Sequence, residues 1–253
     1  MEGRNIRLLI AYDGTDFCGW QRQAGEDRTV QGALEQALEK MHGFHVSLTG
    51  SGRTDTGVHA TGQVANFFTN IDSIPCGRFV PALNSLLPQD VRILESNEEK
   101  KEFHARFNAC ARTYRYYFIC RNLLPHERNY NLYLRRFPRL ETLNAYGRIL
   151  LGETDCSIFA GAGDASLETG KSRNRYIYRA HFHMEGDRLV FEICANAFLR
   201  NMVRSIAGTF LHYEEKDTTP EKLREVIASK ERALAGPTLP PQGLFLWKVI
   251  YKL

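Results

Sequence analysis

Gly52-Arg53-Thr54-Asp55-Thr56-Gly57-Val58-His59-Ala60 sets one carboxylate, Asp55, in a short glycine-flanked segment with an arginine two residues before it. An apolar stretch over residues 63–68 follows and reads as a strand. Glycines at 50, 52 and 57 allow backbone conformations closed to other residues and let a bulky ligand come near, so a small, flexible loop is expected. A carboxylate held beside a fixed positive charge stays ionised and can act as a nucleophile or a base. The plainer alternative is an Asx-type turn joining two strands, with Arg53 and Asp55 as a surface pair.

Working outward, residues 6–12 form an apolar strand ending at Asp13-Gly14. A helix follows: Thr29 is its cap, Val30, Ala33, Leu34, Ala37, Leu38 and Met41 recur at three- and four-residue intervals, and Gly43 stops it. Strands are expected at 45–49 and 63–69 with the Asp55 loop between them, then a helix over 77–87 ended by Pro88 and a strand over 90–95. Strand, helix, strand, strand, helix, strand is the split βαβ arrangement. The second half repeats it. It has a strand at 112–120, a helix at 140–151 ended by Gly152, and strands at 176–184 and 188–195 turned at Glu185-Gly186-Asp187. A helix over 198–213, a short one opening at Thr219-Pro220 and a strand over 244–251 complete it. The fold class expected is α+β: two βαββαβ, ferredoxin- or RRM-like halves, their antiparallel sheets side by side with a cleft between. The polar run Asn97-Glu98-Glu99-Lys100-Lys101-Glu102, within a break near 97–108, divides a domain at 1–102 carrying the Asp55 loop from one at 103–253.

A length of 253 residues, 43% apolar and 25% charged, describes an ordinary soluble chain with a sizeable core. No apolar run is long enough to cross a bilayer, and the first strand is too short for a signal peptide. Six scattered cysteines without a C-x-x-C pair fit a reduced, cytoplasmic protein. His181 and His183 share a strand face, but no third ligand lies near in sequence, so no metal site is expected.

Net charge is only +4, yet its distribution is uneven. From His104 to Arg139 there are eight arginines (106, 112, 115, 121, 128, 135, 136 and 139), no lysine and one acid, Glu127. Aromatics are interleaved, among them Tyr114, Tyr116, Tyr117, Tyr130, Tyr133 and Phe137. Further basic stretches hold Lys171, Arg173, Arg175 and Arg179, then Arg200 and Arg204. Arginine forks match phosphates and aromatic faces stack on unpaired bases, so the region reads as a nucleic-acid surface. The competing reading is a set of solvated strand faces with core aromatics.

A series of short motifs runs along the chain in order: Ala11-Tyr12-Asp13-Gly14-Thr15, Phe17 with Gly19-Trp20-Gln21, Thr29-Val30-Gln31, Gly52-Arg53-Thr54-Asp55, Gly57-Val58-His59-Ala60, Gly62-Gln63-Val64, Phe103-His104-Ala105-Arg106-Phe107, Tyr114-Arg115-Tyr116, Asn196-Ala197-Phe198-Leu199, Met202-Val203-Arg204 and Gly243-Leu244. In these pieces the chain resembles the tRNA pseudouridine synthase A family over nearly its whole length. The resemblance implies a pseudouridine synthase fold, no cofactor, no metal, and a homodimer that receives tRNA across both subunits. It implies isomerisation of uridine in the anticodon stem-loop at tRNA positions 38, 39 and 40. Residue by residue, it implies that Asp55 is the catalytic aspartate, Arg53 helps position the extruded nucleotide, Tyr114 stacks on the target base, and Arg204 pairs with the catalytic carboxylate from the opposite domain. Taken by position alone, Tyr114 is a half-buried strand tyrosine and Arg204 a helix-surface charge.

The chemistry agrees with these roles. A carboxylate can attack the ribose C1′ or the base C6, or take a proton from the sugar, and the sequence does not choose. A stem base must be flipped out, and an aromatic shelf replaces its stacking. Three departures from the family pattern stand out: Thr56, the pair Thr154 and Cys156, and the composition of residues 162–174. Other readings are an RNA-binding module of the same fold without catalysis, a pseudouridine synthase acting on another RNA, and a carboxylate hydrolase, which needs a second paired acid.

Overall fold

The structure, a computed structural model, describes residues 3–22, 25, 28–161 and 172–252. It divides into two compact units, Met1–Cys110 with Phe245–Leu253, and Ala111–Leu244. Both are α+β, and each contains a mixed sheet.

In the first unit the order is β1 (Arg4–Tyr12), α1 (Val30–His42), β2 (Thr49–Gly50), β3 (His59–Thr69), α2 (Phe79–Asn84) and β4 (Val91–Glu99). Alternation in β1 buries Ile6, Leu8, Ile10 and Tyr12. β1 lies between β3 and β4, antiparallel to both. Helix α1 follows its sequence signals: the Thr29 side chain accepts from Gly32 N–H, and Gly43 closes the helix at φ 75°. Val30, Leu34, Ala37 and Leu38 form its buried stripe.

The strand expected at 45–49 shrinks to Thr49–Gly50. Val46 and Leu48 are buried as a strand would bury them, but the Leu48 amide donates to Glu35 of α1 (3.2 Å) and its carbonyl accepts from Gln31 (3.3 Å). Helix side chains thus take the hydrogen bonds a neighbouring strand would need. The helix expected at 77–87 is a 3₁₀ turn, Cys76–Arg78, and six residues of α2. Asn84 ends it by turning its amide onto β4, accepting from Ile93 N–H (2.8 Å) and donating to Ile93 C=O (2.9 Å). β4 extends past residue 95, because Asn97, Glu98 and Glu99 pair with β1, and Arg4 and Arg7 meet Glu98 (2.8 Å) and Glu99 (3.2 Å).

The polar run is therefore partly strand rather than linker. Buried Asn5 donates to the carbonyls of Lys100 and Phe103 (both 2.9 Å), and Asn66 accepts from Ala105 N–H (2.9 Å), so the chain stays with this unit through Cys110. The closing strand, Leu244–Ile250, pairs in parallel with β3, with Phe245 opposite His59.

The second unit holds β5 (Ala111–Ile119), β6 (Leu132–Tyr133), α3 (Leu140–Ile149), β7 (Gly152–Asp155), β8 (Asn174–Glu185), β9 (Arg188–Ala195), α4 (Met202–Glu215) and α5 (Pro220–Ser229). Strand order is β5-β9-β8-β7, all antiparallel, with β6 parallel to the end of β5. Phe182 and Phe191 stack at 4.5 Å and meet Phe210 of α4, which also meets Tyr146 of α3. These rings make the core. The hairpin turns at Gly186 (φ 63°) as expected. Helix α4 begins at Met202 instead of 198, because Asn201 takes a left-handed conformation (φ 61°) and the residues before it form a turn. Among the described residues no helix is long and apolar enough to cross a membrane.

Candidate active site

Residues 51–58 carry the chain from β2 to β3, and they are clamped where the sequence suggested looseness. Trp20 N–H donates to Thr54 C=O (3.1 Å), and Val58 N–H closes a turn onto Asp55 C=O (3.1 Å). Thr54 is buried, with its hydroxyl 2.8 Å from that of Tyr12. Asp55 is half-buried. Of the three glycines, Gly57 needs its freedom (φ 76°), Gly50 makes room for the Trp20 indole, and a Cβ on Gly52 would meet nothing within 4 Å. A Cβ on Gly19 would stand 2.7 Å from Thr54 C=O, so only glycine admits the loop there.

Arg53 is exposed and donates through Nε to Gln21 Oε1 (3.2 Å). An Arg53–Asp55 ion pair is absent among the described residues, so the plain surface pair is not what this loop makes. On the far side of the loop, Gly14 N–H donates to Nδ1 of fully buried His59 (3.0 Å). That nitrogen is thereby an acceptor, and Asp13 Oδ1 at 3.1 Å is served instead by the amide (3.0 Å) and hydroxyl (2.6 Å) of Thr15.

Tyr114 and Arg204 belong to the second unit. Tyr114 is half-buried on β5, opposite Ile193, with Phe198 edge-on at 5.0 Å. Arg204, in the first turn of α4, donates through Nε to Leu239 C=O (2.6 Å) and through Nη1 to Asn201 Oδ1 (2.8 Å). The segment from Asn196 to α4 therefore carries a packing partner of each. The sequence placed a motif and the start of a helix there, and the left-handed Asn201 gave no local signal.

The tRNA pseudouridine synthase family matches residues 8–108 and 148–252. The chain belongs to the tRNA pseudouridine synthase family. Similar proteins include one called tRNA pseudouridine synthase A from Treponema denticola, 50% identical over 98% of this chain and 93% of its own length. One of the same name from Treponema pallidum (strain Nichols) is 46% identical over 92% and 84%, and another from Caldicellulosiruptor bescii is 40% identical over 98% and 100%.

Within this member of the tRNA pseudouridine synthase family, the matched segments hold Arg53, Asp55 and Arg204. Tyr114 and most of the arginine-rich region lie between them. The fold divides those arginines. Arg115 donates to Glu192 (2.7 Å) and Glu185 (3.0 Å), Arg121 to Asp187 (2.6 Å) and Glu127 (2.8 Å). Arg136 and Arg139 both grip buried Glu214 (2.8 and 2.9 Å), and Arg139 also reaches Asp217 (2.6 Å). Arg179 joins Arg115 on Glu192 (2.7 Å).

The reading of a region nearly without acids holds only along the chain. In space, acids from residues 185–217 are brought to it. Arg128 and Arg135 are exposed with no partner among the described residues. Burial works against the charges of Glu192 and Glu214, but bonds from Arg115 and Arg179, and from Arg136 and Arg139, outweigh it and hold both carboxyls below their usual range. Lys171 lies outside the described residues, as do residues 162–171 of the unusual stretch.

The other departures have structural places. Thr56 is exposed, Thr154 Oγ1 donates to Leu150 C=O (3.0 Å), and Cys156 is a core residue whose thiol burial pushes up to about 12. His181 and His183 stack at 5.0 Å, and His183 meets Glu185 (3.0 Å). No three His, Cys, Asp or Glu side chains are grouped to hold a metal among the described residues.

Proposed function

We propose that this enzyme isomerises uridine to pseudouridine in tRNA, with Asp55 as the catalytic carboxylate. Its substrate is the anticodon stem-loop at positions 38, 39 and 40, and it works in the cytoplasm as a homodimer. The observation that carries the reading is the Asp55 loop: a single half-buried carboxylate on a clamped backbone, inside the segment matched to the family. The relatives' shared name, tRNA pseudouridine synthase A, supports tRNA as the substrate.

The finer fold reading belongs to the same proposal. Of the two βαββαβ halves proposed, the first is supported by the β1-α1-β2-β3-α2-β4 order of the first unit, with β4-β1-β3 adjacent and β2 beside β3.

The reaction breaks the bond from uracil N1 to ribose C1′ and forms one from C5 to the same carbon, with loss of the C5 proton and gain of one at N1. Nothing is oxidised or reduced. A carboxylate with a fixed backbone supplies either the electron pair or the base that the cleavage needs. The target base leaves its stack to reach it, and Tyr114 is the aromatic shelf proposed to receive it. Arg53 is proposed to hold the extruded nucleotide, its guanidinium being exposed and, among the described residues, tied only at Nε to Gln21. Arg204 is proposed as the charge partner of the catalytic carboxylate.

Incubation with unmodified tRNA and mapping of pseudouridine tests the reading. Pseudouridine at positions 38–40 is expected. Its appearance only elsewhere, or only in another RNA, contradicts it.

A further inference from the structure

Beneath the Asp55 loop lies a buried polar cluster that the chemistry above does not use. Gln63 stands on β3 with no exposed surface. A buried amide costs about 1–3 kcal/mol unless its hydrogen bonds are met. Here they are met by the loop. Gln63 Oε1 accepts from Ser51 Oγ (2.7 Å) and from Val64 N–H (3.1 Å), and Nε2 donates to Gly52 C=O (3.0 Å). Beside it the Tyr12 hydroxyl meets Thr54 Oγ1 at 2.8 Å. Ser51, Thr54 and Tyr12 are all buried.

We infer that Gln63, acting with Tyr12, is a positioning residue that fixes the Asp55 carboxylate for the reaction by holding Ser51, Gly52 and Thr54 of the preceding backbone. Three of the four residues leading into Asp55 are tied to this one cluster. The ladder between β1 and β3 changes register between Ile10 and Tyr12, leaving Gln63 opposite Ile10 and Tyr12 opposite Ala60. Such irregularities re-aim side chains, and this one stands where the Tyr12 hydroxyl reaches Thr54. Burial pushes the Tyr12 hydroxyl well above its ordinary range, so it remains a hydroxyl throughout the working pH. The inference rests on Asp55 being the catalytic carboxylate.

Gln63→Met keeps the length of the side chain and removes every bond to the loop. Misplacing a reacting group by about 1 Å costs on the order of a hundredfold in rate. Single-turnover conversion by Gln63→Met is therefore expected to fall about ten- to a hundredfold, with tRNA affinity and KM unchanged. Tyr12→Phe, which removes one hydroxyl and keeps the ring against Trp20 (6.0 Å), is expected to lower kcat several-fold, again at constant KM. If Gln63→Met does not fold, Tyr12→Phe decides alone. A wild-type kcat in the folded variants, or a rise in KM at constant kcat, overturns the inference and leaves a structural cluster. Asp55→Asn is measured beside them. If it is inactive while Gln63→Met turns over normally, only the positioning role fails; if Asp55→Asn itself turns over normally, both readings fall.

Discussion

Tyr114 meets Phe198 edge to face and is half-buried. If it stacks on the flipped base, Tyr114→Phe binds tRNA like wild type, while Tyr114→Ala loses roughly 1–3 kcal/mol of binding. Titration of unmodified tRNA separates the two, and equal, unimpaired binding by both variants makes Tyr114 a packing residue. At this scale the sequence was most legible where a residue type leaves no choice. Gly57 adopts a left-handed φ and Gly50 yields space to an indole, as glycines in such a loop should. Gln63 and Tyr12 were visible as strand residues and members of matching motifs but not as a cluster, because what matters in them is burial beneath a loop, and burial is set by neighbours far along the chain. Cys156, one of the departures, illustrates the same point. Its thiol is raised to about 12 by burial, so it should resist alkylation in the folded protein at pH 8 and react only on unfolding; rapid labelling in native buffer contradicts that placement.

Arg135 and Arg136 are adjacent and were equivalent in sequence; the fold makes them different tools. Arg136 holds Glu214 of α4, whereas Arg135 is exposed without a partner among the described residues. Arg135→Ala should therefore weaken tRNA binding and reduce the slope of log affinity against log salt by roughly 0.7–0.9, the share of one phosphate. Arg136→Ala should lower Tm and change that slope little. Glu214→Gln, which leaves both arginines facing a neutral amide, should cost about 1–3 kcal/mol, a loss of several degrees in Tm. A salt series and a melting curve for each variant check this, and an unchanged slope for Arg135→Ala removes it from the RNA surface. Elements with local signals were read well: α1 has its cap, stripe and stop within fifteen residues of sequence, and β9 lies where the hairpin turn at Gly186 put it. Elements set by distant partners were not. Residues 45–48 lack a strand because Glu35 and Gln31 of α1 take their backbone groups, and the acids that tie the arginines lie tens of residues away from them.

Over the whole molecule, ion-paired carboxylates give a defined response to acid. Glu192, Glu214 and Asp155 all have carboxyls held below their usual range, the last at about 2 because Lys230 and Ser157 outweigh burial. Their unfolded forms take up protons first as pH falls, so their stabilisation is present above about pH 4.5 and is lost progressively below it. His181 is also depressed, by burial; its share is complete above its ordinary value of 6.5 and declines as pH drops beneath that. Tm should therefore ease downward below pH 6.5 and fall steeply below 4.5, and a Tm that rises on acidification contradicts these pairings. The division into units was only partly legible, because the polar run that marks a linker in sequence is the solvent-facing edge of β4, and the last strand returns to β3. The account as a whole turns on one carboxylate. Release of tritium from tRNA labelled at uridine C5, measured for wild type and for Asp55→Asn with equal tRNA binding verified, tests it most directly. Full release by wild type and none above background by the variant is the predicted result; release by Asp55→Asn at the wild-type rate would remove Asp55 from the reaction.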